Sequence, residues 1–245
     1  AEVGFVQRSG VKTRKTYISR TPRPGKWHIR VMDPMFVLTY ITDQTNRMVG
    51  RTQHFMTSAT FDDGSFANVI YQKQLDVLDA PFRIQQGVVV PVGSYTWDEW
   101  SFTYNTNPAK RIYEKFSYSP NGFYGGGTRT QVNATVGFRA TSSLSSEIQF
   151  NRNDVDMPYG AFEANLAILH VDYAPSPRVS VRTLTQYSTQ TQEFSSSVRF
   201  NWMYRPGSDL YVVYNGLQRT GLPEDVFHPT DRQIVVKVAY LLAER

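Results

Sequence analysis

Apolar and polar residues alternate with a period of two over long runs of this chain, the spacing of a strand whose two faces meet different surroundings. Over 193–204, Phe194, Ser196, Val198, Phe200, Trp202 and Tyr204 share one face, and Ser195, Ser197, Arg199 and Asn201 share the other. Over 128–139, Val132, Ala134, Val136 and Phe138 oppose Arg129, Gln131, Asn133 and Arg139. Leu144, Ile148 and Phe150 oppose Glu147, Gln149 and Asn151, and Ile234, Val236, Val238, Tyr240 and Leu242 share a face of the last run. Breaking the chain at its turn signals predicts about fourteen strands, at 2–8, 11–21, 27–41, 47–61, 65–75, 96–105, 110–118, 128–139, 143–152, 161–173, 177–188, 193–204, 209–215 and 231–242. No segment has a helical period. Within 161–173 the apolar parity changes at Ile168 and Leu169, which predicts a bulge there.

The connections are of two kinds. Arg-Pro-Gly-Lys at 23–26, Asp-Asp-Gly-Ser at 62–65, Ala-Pro-Ser-Pro at 174–177 and Arg-Pro-Gly-Ser at 205–208 are tight, and they fall at one end of an up-and-down meander. The other end receives the longer links 76–95, 119–127, 152–160 and 216–230. Short turns at one rim and long loops at the other are the habit of outer-membrane barrels. The fold class expected is therefore all-β: a single domain over 1–245, forming an antiparallel up-and-down transmembrane β-barrel of about fourteen strands, alone or as part of a larger wall. An even strand number would place both termini on the short-turn side.

Composition sharpens this in three ways. Cysteine is absent, which excludes disulfides, thiolate metal sites and thiol nucleophiles. Mean hydropathy is −0.41 and no stretch reaches the roughly 18 apolar residues of a membrane helix, but a barrel shows lipid only every second side chain, so its average stays polar. The net charge of +5 is spread along the chain with no dense basic run, so nucleic acid is not an expected partner.

Aromatic placement adds weight, since strand propensity alone does not put rings near strand ends. Strands running towards the short turns end in Phe61, Tyr104, Phe138, Tyr173, Tyr204 and Tyr240, with Trp202 beside Tyr204. Strands running the other way end in Tyr40, Tyr71, Tyr118, Phe150, Tyr187 and Tyr214. These two sets are expected to form the aromatic girdles of a bilayer-spanning wall.

The opposite, lumen-facing side is expected to carry Arg129, Arg139, Arg182, Arg199 and Lys237 against Glu147 and Asp172, with His170 beside them. In an open pore that cationic excess would favour anionic solutes. Other chemistry finds little footing. His28, His54, His170 and His228 have no metal-ligand spacing, and no metal or cofactor is expected. His170 and Asp172 could join a serine in a hydrolytic triad, but no nucleophile motif accompanies them, so no catalytic residue is assigned. The glycines at 125–127 lack the helix and lysine of a phosphate loop and read as a flexible surface loop. Asn-Asp-Val-Asp at 153–156, with Glu224 and Asp225, reads as solvated loop acids rather than a calcium site.

Several stretches resemble one family. They are Glu-Val-Gly-Phe-Val-Gln-Arg at 2–8, Tyr-Ile-Thr-Asp-Gln at 40–44, Arg-Asn-Asp-Val-Asp at 152–156, Tyr-Ala-Pro-Ser-Pro-Arg at 173–178, Phe-Asn-Trp-Met-Tyr-Arg-Pro-Gly-Ser-Asp-Leu-Tyr-Val-Val-Tyr-Asn at 200–215 and Asp-Arg-Gln-Ile-Val-Val-Lys at 231–237. Together they resemble the C-terminal barrel region of the DUF5916 family of bacterial outer-membrane proteins. The resemblance implies longer relatives, with further strands and a family 9-like carbohydrate-binding domain ahead of the region seen here. That domain has no counterpart in these 245 residues, so no sugar-binding role passes to any of them. The function expected is a porin-like conduit of the bacterial outer membrane or the membrane part of an envelope assembly, with the lipid bilayer as partner. The alternatives are a scaffold that holds other envelope proteins through its loops, a membrane hydrolase and, last, a soluble β-protein.

Overall fold

The computed structural model describes residues 10–85, 87–219 and 229–241. The strand expected at 2–8, residues 220–228 of the last long connection with Glu224, Asp225 and His228, and Leu242 lie outside the described residues. In chain order the strands are β1 (Lys12–Ser19), β2 (Ile29–Met32), β3 (Met35–Thr42), β4 (Met48–Phe61), β5 (Phe66–Leu78), β6 (Phe82–Gln85), β7 (Val88–Val90) and β8 (Gly93–Asn105). They continue as β9 (Ile112–Gly122), β10 (Thr128–Arg139), β11 (Leu144–Met157), β12 (Gly160–Ser176), β13 (Val179–Ser188), β14 (Glu193–Arg205), β15 (Ser208–Arg219) and β16 (Pro229–Ala239). The protein is all-β: one antiparallel sheet of fourteen strands follows the order β1-β3-β4-β5-β8 and then β9 to β16 in sequence, with β2 joined to β4 beside this path. No ladder joins β1 to β16 among the described residues. Among the described residues the path counts thirteen strands, and the further one expected at 2–8 lies outside them.

Two compact units divide the chain: Ala1–Asn105 with Ser117–Gln131 and Asn153–Phe162, and Thr106–Phe116 with Val132–Arg152 and Glu163–Arg245. The first holds the sole buried apolar cluster found among the described residues. Leu78, Val88, Val90, Phe123, Tyr124, Val155 and Met157 form it, with Trp97 and Tyr159 against them.

Several expected boundaries move. The strand expected at 27–41 breaks at Asp33-Pro34, because proline offers no N–H to a ladder; β3 pairs with β4 as far as Met35–Met56, and β2 takes over at Met32–Ala59. The expected long loop 76–95 contains the end of β5, the β6–β7 hairpin and the start of β8. The link 152–160 is mostly strand, β11 passing to β12 through Pro158 and Tyr159 alone, and β9 takes up 119–127 as far as Gly122. Among the described residues, strand thus reaches into each of these expected links. β12 pairs with β13 in unbroken register from Leu166 to Tyr173, so this ladder has no bulge at Ile168 and Leu169, and its shift comes between Tyr173 and Ser176. The link expected at 174–177 is accordingly a turn at Pro177-Arg178.

The glycines at 125–127 do not form an open loop. A 3-10 turn over Tyr124–Gly126 buries Tyr124, and Tyr159 packs on Gly125 so closely that a Cβ would stand 2.7 Å from its ring. Gly125 has φ +70°, a conformation that glycine enters at no steric cost.

Candidate functional site: an exposed apolar band and two polar clusters behind it

Strand β8 carries the decisive pattern. Its exposed face reads Trp100, Phe102 and Tyr104, while the less exposed face behind them reads Glu99, Ser101 and Thr103. This reverses a water-soluble sheet, in which apolar side chains are covered and polar ones face solvent. Towards Gly93 the pattern inverts without any break in pairing to β5: Ser94, Thr96 and Asp98 become the exposed residues, and Tyr95 and Trp97 are covered. Strand β11 does the same. Leu144, Ile148 and Phe150 are exposed in its first half; Arg152, Asp154 and Asp156 are exposed in its second, while Val155 and Met157 are buried. The acids at 154 and 156 are therefore strand residues, not loop residues.

The exposed apolar face is continuous in the first unit. Phe36, Phe55, Tyr71 and Trp100 are register partners on four adjacent strands, with successive ring centroids 4.6, 6.0 and 4.9 Å apart. The Tyr71 hydroxyl donates to Asp98 Oδ1 at 2.9 Å, where the face turns polar. Among the other expected interface aromatics, Tyr104, Tyr118, Phe138, Phe150, Tyr173, Tyr187, Trp202 and Tyr240 are exposed. Tyr40, Tyr204 and Tyr214 are half-buried, and the Tyr204 hydroxyl donates to the Ala239 carbonyl at 3.1 Å. Tyr71, Tyr118, Phe150 and Tyr214 do not end their strands as expected; the strands run on past them. Trp27, 81% exposed, was missed: it occupies a two-residue turn with His28, both at positive φ, closed by an Ile29 N–H to Lys26 carbonyl bond of 3.0 Å.

Behind the apolar band each unit holds a polar cluster. In the first, Glu99 is the hub. Its Oε1 accepts from Trp97 Nε1 at 2.8 Å and from Arg129 Nη2 at 3.4 Å, and its Oε2 accepts from Gln72 Nε2 at 3.3 Å. The Arg129 guanidinium also lies 4.8 Å over the Phe123 ring. Next to this cluster the β6–β7 hairpin brings Val88 and Val90 into the buried apolar group, so this end of the face is covered.

In the second unit Tyr113 donates to Glu147 Oε2 at 2.6 Å, and Lys115 Nζ stands 3.6 Å from the same oxygen. Arg139 lies 5.1 Å over the Tyr113 ring and donates to the carbonyls of Pro108 and Lys110. Asp172, Arg182 and Arg199 form one cross-strand row; Arg182 Nε is 3.6 Å from Asp172 Oδ1, and Arg199 has no polar partner among the described residues. His170 is on the Asp172 side of β12, opposite Leu184, and Lys237 is opposite Tyr211. Asp172 is thus engaged by Arg182, and Ser197, the serine in the His170 row, donates to Asn215 Oδ1 at 2.8 Å. Of the eight expected lumen residues, Arg139 and Glu147 meet around Tyr113, Asp172, Arg182 and Arg199 meet in a row, and Arg129 meets Glu99. Glu99, Tyr113 and Lys115 were missed. The alternation of β8 around Trp100 would have revealed Glu99.

No group of His, Asp or Glu able to hold a metal occurs among the described residues. No helix is long and apolar enough to cross a membrane, which says nothing of strands. Comparison with known proteins found no matching family model, no matching curated protein and no matching solved structure.

Proposed function

We propose that this chain forms a wall of a transmembrane β-barrel in the bacterial outer membrane, acting as a porin-like conduit whose polar face lines an aqueous path. The observation that carries this is the reversed exposure of β8 and β11. A continuous surface of Phe55, Trp100, Phe102 and Tyr104 in water would forfeit roughly 25 cal/mol per Å² of apolar area, and patches of that kind mark a non-aqueous contact. On β11 the exposed apolar stretch from Leu144 to Phe150 spans about 20 Å at strand rise, close to the roughly 25 Å apolar band of such barrels. Free edges at β1 and β16 are prohibitively costly in lipid, so the complete wall closes, by this chain or with further strands. A DUF5916-like membership, with additional strands from a longer protein, agrees with that need.

The row Asp172, Arg182 and Arg199, together with Lys115 and Arg139, supplies net positive charge to the polar face and favours anionic solutes. A second reading is a scaffold barrel that binds envelope partners, and the covered end made by the β6–β7 hairpin favours it. The test is to refold the chain in detergent micelles, compare gel mobility with and without boiling, and record current across a planar bilayer. A heat-shifted band with discrete current steps supports the conduit. The band without current supports the scaffold. A chain soluble without detergent overturns both.

A further inference from the structure

The break between β2 and β3 has a consequence on the exposed face. Where the chain passes from β2 to β3 at Pro34, a groove of about 530 Å³ lies against β1, β3, β4 and β5. Phe36, Phe55 and Val69 make it apolar, Ile18 borders it from β1, and Arg20 lines it beside Pro34. The Arg20 side chain is exposed and has no polar partner among the described residues; only its backbone N–H is bonded, to the Pro34 carbonyl at 3.2 Å.

We propose that this groove binds one membrane glycerophospholipid, an acyl chain lying along Phe36, Phe55 and Val69 and the phosphate seated on Arg20. The proposal rests on the membrane reading above. Three features point to a lipid rather than a protein segment. The groove lies in the exposed apolar band and continues the ring row Phe36-Phe55-Tyr71. Its volume falls within the usual 300–1,000 Å³ of small-molecule sites. A lone guanidinium beside an apolar channel matches an amphiphile whose single phosphate anion is tied to hydrocarbon, since its fork of donors suits phosphate oxygens in a bidentate fashion.

The test uses the chain refolded in micelles with phosphatidylglycerol and examined by native mass spectrometry in mild detergent. One retained lipid per chain is expected. Arg20→Ala should weaken retention about tenfold, the loss of one charge-assisted contact. Thr57→Trp, which fills the groove from its exposed β4 wall, should remove it. A diacylglycerol without phosphate should be held equally by the parent and Arg20→Ala, and excess inorganic phosphate should not displace the lipid. If both variants show the heat-shifted band yet hold as much phosphatidylglycerol as the parent, the groove is not a lipid site. Displacement by inorganic phosphate would likewise overturn it. A parent chain soluble without detergent overturns the membrane reading and this site with it.

Discussion

Arg129 meets Glu99 at 3.4 Å on the face behind Trp100, and Glu99 is the more deeply covered of the two, with 13% of its side chain exposed. Removing the cation leaves a mostly buried carboxylate with only neutral donors. Arg129→Ala should therefore cost about 2 kcal/mol, read as a lower urea midpoint for loss of the heat-shifted band. Glu99→Gln combined with Arg129→Met should recover much of that loss, since no uncompensated charge then remains. Equal midpoints for the parent and Arg129→Ala would refute the pairing.

Gly137 is a contact site for Tyr113: a Cβ there would stand 2.0 Å from the ring. Gly137→Ala must push the ring away and break the Tyr113–Glu147 bond, a disturbance of about 1–3 kcal/mol. Tyr113→Phe should cost less, because the ring keeps its place. The same urea titration ranks the two, and the reverse order would count against this geometry.

Arg182 and Arg199 decide the sign of the polar row they share with Asp172. Arg199→Glu, which removes the cation lacking a partner, should move the reversal potential in a salt gradient towards cations, and Arg182→Glu with Arg199→Glu should move it further. A reversal potential that ignores both changes would remove these residues from the conduction path.

Outside the apolar band, the β3–β4 turn is organised by Asp43. Its carboxylate accepts from the Thr45 hydroxyl at 2.6 Å and from Arg47 Nε at 3.0 Å, and these bonds, that to Thr45 first, hold its pKa down to about 2. A depressed carboxylate contributes stability above its unfolded value near 3.8, and that contribution fades as pH falls through about 2. Acidification from pH 5 to pH 2 should loosen this turn, and Asp43→Asn should abolish the dependence. Amide exchange at Thr45 and Arg47, whose N–H groups Asp43 holds, reports it directly.

How much of this was legible depended on whether a strand keeps one phase. In 193–204 the apolar parity holds throughout, and the observed β14 pairs Phe200 with Val212 and Val198 with Tyr214 on one face, as the alternation requires. In β8 the apolar residues fall on even positions at Trp100, Phe102 and Tyr104 but on odd positions at Tyr95 and Trp97, so a single-phase reading ends the strand early at Thr96. The same switch in β11 turned Asp154 and Asp156 into an expected loop. Pro34 divided 27–41 through a missing donor, which alternation does not register. The aromatic positions were readable because a ring on a strand declares its own face. The partners of the lumen charges were not, because Glu99–Arg129 and Tyr113–Glu147 join residues about thirty apart in sequence whose meeting depends on strand register.

On the membrane reading proposed above, the phase inversion in β8 sets how this wall would meet the outside. With Trp100 at the lipid boundary, the seven residues back to Gly93 carry the sheet about 20 Å further, into the hydrated zone above the hydrocarbon. There it would be a stiff collar with Thr96 and Asp98 outward and Tyr95 and Trp97 covered behind them. An antibody or phage fibre arriving at that height would encounter fixed backbone hydrogen bonds in place of adaptable segments. Insertions would be tolerated only at the few turns that cap the collar, and sequence drift would be confined to its outward side chains.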